Sequence, residues 1–80
     1  VSVSPNPTLS EINIQIQSPI SNELTWTLRN VLGQTLKIGK KAVSSEIFKF
    51  VIDLEDVSQG MYLLQIENGT IKKTIKIQKL

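Results

Sequence analysis

The chain has 80 residues, nine basic and seven acidic side chains, a formal charge of +2, and neither Cys nor His. That length supports one domain with one small core. Without Cys or His there is no disulfide framework, no thiolate metal site and none of the usual acid–base or nucleophilic constellations, and the balanced charge gives no electrostatic footprint for nucleic acid. No apolar run approaches the roughly 20 residues that span a bilayer, so no direct membrane span is expected. A start at Val1 rather than Met fits a piece cut from a larger precursor.

Apolar and polar residues alternate along the whole chain, which is the period of strands and not of helices. Val1 and Val3 predict a short opening strand, stopped by Pro5-Asn6-Pro7, where neither proline can donate to a ladder. Ile12, Ile14 and Ile16 alternate with Asn13, Gln15 and Gln17, giving a second strand with one face in a core and one in water. After the turn cluster Ser18 to Asn22, Leu24, Trp26 and Leu28 alternate with Thr25, Thr27 and Arg29 as a third strand. Asn30-Val31-Leu32-Gly33 predicts a tight reversal in which Gly33 can take a positive φ. Leu36 and Ile38 begin a fourth strand, which Gly39 and the polar segment to Ser45 are expected to close.

Phe48, Phe50, Ile52 and Leu54 form the inward series of a fifth strand, with Lys49 and Asp53 opposite; Val51 on that outer face suggests partial cover there. A loop from Glu55 to Gln59 leads to Gly60, after which Tyr62, Leu64 and Ile66 begin a sixth strand. Asn68-Gly69 predicts a type I′ hairpin turn, since both residues tolerate positive φ. Ile71, Ile75 and Ile77 complete a seventh strand; Lys73 interrupts the inward series, so a bulge, a register change or an edge position is expected there.

Short strands with turn signals every eight to twelve residues or so predict an all-β fold, an immunoglobulin-like antiparallel β-sandwich of about seven strands, with a small barrel as the competing architecture. Residues 1–80 form a single domain in this reading. Tyr62, two residues after Gly60 and just beyond a loop, is similar to the tyrosine corner of such sandwiches.

The carboxylates Glu11, Glu23, Glu46, Asp53, Glu55, Asp56 and Glu67 stand mostly beside turns or on outward positions, as solvated surface charge does. Asp53, Glu55 and Asp56 are the densest acidic group but lack the spaced ligands and glycine of a calcium loop. No catalytic residue, metal or cofactor is expected. Trp26 and Tyr62 are the aromatics a glycan-binding module could use as a platform, yet both fall in apolar series that should face inward. Asn68-Gly69-Thr70 matches a glycosylation acceptor, but a hairpin tip explains Asn and Gly without any sugar, and the turn is the favoured reading. Four of the eight lysines, Lys72, Lys73, Lys76 and Lys79, fall in the last nine residues. They serve either to protect an exposed edge or to present it to a partner strand, and on the residues alone edge protection is the stronger reading.

Three segments in order carry a resemblance. They are Pro5-Asn6-Pro7 ahead of the strand at Ile12; Leu28-Arg29-Asn30-Val31-Leu32-Gly33-Gln34; and Ile52-Asp53-Leu54, Val57, Gly60-Met61-Tyr62-Leu63-Leu64-Gln65-Ile66, Asn68-Gly69 and Ile75-Lys76-Ile77-Gln78-Lys79. Together they resemble the type A C-terminal sorting domain that Bacteroidetes proteins carry for type IX secretion, with Gln34 where Lys or Arg is frequent and Leu80 one residue past the terminal lysine. The resemblance implies a non-catalytic label at the C-terminus of a cargo domain, in transit through the periplasm. It also implies recognition by the outer-membrane translocon, removal by a sortase-like peptidase, and delivery of the cargo to the cell surface or medium. Lys76, Ile77, Lys79 and Leu80 are the expected recognition residues, acting by edge pairing and charge, while Pro5, Asn6, Pro7, Gly33, Gly60, Tyr62, Asn68 and Gly69 are expected to shape the fold. An immunoglobulin-like spacer or glycan-binding adhesion module is the alternative, and an edge strand could also pair with a second copy.

Overall fold

Alternation of apolar and polar residues becomes two antiparallel sheets that close on each other. The computed structural model describes residues 1–4 and 10–80, so the Pro5-Asn6-Pro7 motif lies outside the described residues. Among the described residues the strands are β1 (Ser2–Ser4), β2 (Glu11–Gln17), β3 (Glu23–Asn30), β4 (Thr35–Ala42), β5 (Ile47–Asp53), β6 (Gly60–Asn68) and β7 (Ile71–Lys79). A three-stranded sheet has the order β1-β2-β5 and a four-stranded sheet the order β4-β3-β6-β7. All neighbours are antiparallel. The fold is the expected all-β, immunoglobulin-like sandwich. Its fourth strand lies beside β3 and not beside β5, where a constant-type immunoglobulin domain would place it.

The core is the set of inward residues that alternation picks out. Ile12, Ile14 and Ile16 of β2 and Phe50 and Ile52 of β5 meet Leu24 and Leu28 of β3, Tyr62, Leu64 and Ile66 of β6 and Ile77 of β7, each no more than 8% exposed. Burial of each aliphatic chain contributes about 1.5–3 kcal/mol before entropy is counted. Phe48 lies half-buried at the margin, its ring 5.7 Å from that of Phe50. Val51, on the outer face, is half covered at 49% exposure.

The fourth strand departs from expectation. Gly39 does not close β4 but sits in its middle, paired with Trp26. The reason is steric: a Cβ on Gly39 would lie 2.5 Å from Trp26 Nε1 and 2.7 Å from its Cζ2, so the indole lies flat against bare backbone. Leu36 and Ile38, the apolar residues of β4, are exposed, and a register shift between Leu28 and Arg29 separates Lys37 from Thr35 in the pairing. The inward position opposite Leu28 is Lys37, and that opposite Leu24 is Lys41.

The last hairpin also differs from the type I′ expectation. Asn68 ends β6 and pairs with Ile71, which leaves Gly69-Thr70 as the turn, and only Gly69 has a positive φ, +61°. Glycine at the first central position of a two-residue loop with a negative φ behind it is the type II′ pattern. Lys73 lies on the edge strand with no register shift in β6–β7, so the edge position accounts for it.

Gly39→Ala should destabilise the sandwich by about 1–3 kcal/mol, because the indole must move off its site. Trp26 is the chain's single tryptophan, so a shift in its fluorescence, together with a lower urea midpoint, would check this directly. An unchanged spectrum would contradict the close approach.

Candidate functional site

The terminal strand β7 pairs with β6 along its whole length, from Asn68↔Ile71 to Gly60↔Lys79. It is the outermost strand of the four-stranded sheet. Successive side chains point to opposite faces. Ile71, Lys73, Ile75, Ile77 and Lys79 therefore share the core side, and Lys72, Thr74, Lys76 and Gln78 the outer side. The four residues expected to act in recognition divide accordingly. Ile77 is fully buried and Lys79 is only 8% exposed, whereas Lys76 is exposed and Leu80, beyond the strand end, is 47% exposed.

Across the outer face, Lys76 pairs with Leu63 and Gln78 with Met61, and Arg29 of β3 pairs with Leu63 on the other side. This brings Met61, Leu63, Lys76 and Gln78 together on the outer face at the open end of the β6–β7 hairpin. Beside it, the Arg29 guanidinium donates to Gln65 Oε1, and Gln65 Nε2 donates to Glu67 Oε1 at 2.9 Å. Lys72 Nζ lies 3.9 Å from the same Glu67 oxygen. Side-chain interactions thus organise the outer face well before its end.

The loop that leads into β6 is fixed from several directions. Tyr62 Oη donates to the Ser58 carbonyl at 2.6 Å, which is the hydrogen bond of a tyrosine corner. Lys37 reaches across from β4, donating to the Asp53 carbonyl at 3.1 Å and to Asp56 Oδ1 at 2.6 Å. Hydrogen bonding to the Lys37 ammonium holds the Asp56 carboxyl below its ordinary value of 3.8. Asp53 Oδ1 accepts from the Glu55 amide at 2.9 Å. The densest acidic group of the sequence is thus engaged with a lysine and a turn, and among the described residues no group of three or more acidic side chains is placed to hold a metal ion.

Asn68 lies not in the turn but at the end of β6, paired with Ile71. It is fully buried, and its amide makes four hydrogen bonds. Oδ1 accepts from the Ile20 amide at 2.8 Å and the Ser21 amide at 3.3 Å, while Nδ2 donates to the Ser21 carbonyl at 2.9 Å and the Glu23 carbonyl at 3.0 Å. The signal lay in the parity of Tyr62, Leu64 and Ile66, which carries Asn68 to the same inward face. The glycosylation acceptor is thereby closed in the folded chain. Trp26 also faces inward, half-buried against the core with Nε1 unpartnered, so neither it nor Tyr62 forms a stacking platform. Gly33 takes φ +86° in the β3–β4 turn, where its amide donates to the Asn30 carbonyl at 3.0 Å, and Gly60 opens β6 opposite Lys79.

Residues 2–79 match the family described as the secretion system C-terminal sorting domain, that of type IX secretion. The chain belongs to this family. No curated protein matches it. As a sorting domain it is a secretion signal carried by a cargo protein, works with the secretion machinery, and directs export to the cell surface or extracellular space.

Tyr62→Phe should lower the stability of the sorting domain by about 1 kcal/mol, the net worth of one hydrogen bond, with the Ser58 carbonyl turning to water; a urea titration measures it. The Asp56 pKa is lowered in the folded chain, so the stability it contributes is present above the unfolded value and lost as pH falls through the folded one. Asp56→Asn should therefore be less stable than the parent at neutral pH and equal to it well below pH 3.8. A gap that persists unchanged into acid would show that charge on Asp56 is not involved.

Proposed function

We propose that this domain is the export label of a larger secreted precursor. Its cargo domain lies N-terminal to it and reaches the periplasm by another signal, the outer-membrane translocon recognises the folded label, and a sortase-like peptidase then removes it. The observation that carries this reading is family membership across residues 2–79. A non-catalytic role agrees with it, since the sequence holds no Cys or His.

Within this reading the translocon meets the outer corner of the β6–β7 hairpin. Lys76 supplies charge, and Leu80, Met61 and Leu63 supply apolar surface. Ile77 and Lys79 act from beneath, holding the strand on the core. Charge at such a rim chiefly steers encounter and fixes register, while the apolar residues provide contact area.

The test fuses the 80 residues to a periplasm-directed reporter in a Bacteroidetes host and measures reporter at the surface and in the medium. Export is expected, and retention of a folded fusion in the periplasm would sink the proposal. The double variant Lys76→Glu, Leu80→Ser should keep the parent's melting behaviour while export falls roughly tenfold, the effect of about 1.4 kcal/mol of lost affinity. Unimpaired export by that variant would place recognition elsewhere on the domain.

A further inference from the structure

Asn68-Gly69 is the dipeptide most open to deamidation, because the glycine amide nitrogen is unhindered by a side chain. In that reaction the Gly69 nitrogen bonds to Asn68 Cγ and the Cγ–Nδ2 bond breaks. The amide proton leaves with Nδ2 as ammonia, and water then opens the succinimide to aspartate or isoaspartate. No oxidant or other reactant is needed.

The fold opposes every part of this. Ring closure requires Cγ to swing onto the Gly69 nitrogen, yet both ends of the Asn68 amide are held by the β2–β3 loop and the first residue of β3 through hydrogen bonds of 2.8–3.3 Å to Ile20, Ser21 and Glu23. The Asn68 side chain is fully buried, out of contact with bulk water. Ile20 also packs beside the turn, its Cγ1 lying 3.1 Å from where a Cβ on Gly69 would stand, although Gly69 itself is exposed. We infer that Asn68 is a modification site gated by folding: closed to deamidation in the sandwich, and exposed to it whenever the last hairpin parts from the β2–β3 loop.

The product cannot restore what was lost. An aspartate at this position has no N–H for the Ser21 and Glu23 carbonyls and, when ionised, turns a carboxylate oxygen toward them in a buried site. Isoaspartate also lengthens the backbone by one carbon at the end of β6. A chain that stays unfolded for long therefore forfeits the four hydrogen bonds of Asn68. This inference is independent of the export reading.

The test incubates the 80-residue chain at mildly alkaline pH in native buffer and in urea, following the peptide that holds Asn68-Gly69 by its deamidation mass gain. Conversion in the folded chain should be about a hundredfold slower than in urea, equivalent to about 2.8 kcal/mol of opening free energy. Leu24→Ala should raise the rate in native buffer and leave the urea rate alone. Gly69→Ala should slow the urea rate, identifying the attacking nitrogen. Equal rates for the folded and unfolded parent would overturn the gating, and Asn68→Asp with the parent's urea midpoint at neutral pH would overturn the irreversible loss. If Asn68→Asp does not fold, the loss stands, and the rate comparison on the parent still decides the gating.

Discussion

One buried amide ties together the end of the sandwich where the chain first crosses between sheets. The β2–β3 loop leaves the ladder of one sheet before joining the other, so its backbone polar groups need partners that no strand supplies. From the far end of β6, Asn68 accepts two hydrogen bonds from that loop and donates one to it and one to Glu23 at the start of β3. The next crossing, from β4 to β5, leans on the first. The Val43 amide donates to the Asn22 carbonyl at 2.9 Å and the Ser18 amide to the Glu46 carbonyl at 2.7 Å, so a loop held by Asn68 becomes the template for its neighbour. At the opposite end the β5–β6 crossing is served by Tyr62 and Lys37.

The two edge strands of the four-stranded sheet share a second solution. Both place lysines where an apolar side chain would complete the inward series: Lys37 and Lys41 on β4, and Lys73 and Lys79 on β7. At a sandwich margin the long stem can lie on apolar surface while the ammonium reaches water or a partner, and an inward-pointing charge discourages another chain from pairing with the edge. Lys37 ends on Asp53 and Asp56, and Lys41 lies 6.0 Å from the centre of the Phe50 ring. Lys79 fits this pattern better than that of a displayed charge. The basic character of the last strand is therefore two things at once, an inward pair that trims the edge and an outward pair on the face.

Alternation made most of the fold legible, because burial of one face of a strand constrains every second residue. The isoleucines of β2 and the Phe50–Ile52 and Tyr62–Ile66 series fall where parity places them. What parity does not contain is the identity of a cross-strand neighbour. Gly39 looks like a strand end until Trp26 is set against it, and Asn68-Gly69 looks like a turn until the loop at Ile20 is brought near. Lys79 shows the reverse error: residue type argued for solvent, while parity with Ile75 and Ile77 already pointed inward. The resemblance identified the family but not the arrangement of its last strand on two faces.

That arrangement makes recognition depend on a turn at the far end of the hairpin. The outer corner exists because Gly60 pairs with Lys79 and Leu63 with Lys76, a register set where Asn68 pairs with Ile71 across Gly69-Thr70. A slip of one residue would exchange the faces, turning Ile77 and Lys79 outward and driving Lys76 and Gln78 into the core. The buried pairing of Ile77 with Tyr62 makes such a slip costly, and the clasp on Asn68 holds the turn end of β6 in place. The same contacts that stabilise this small sandwich therefore also determine which residues it displays.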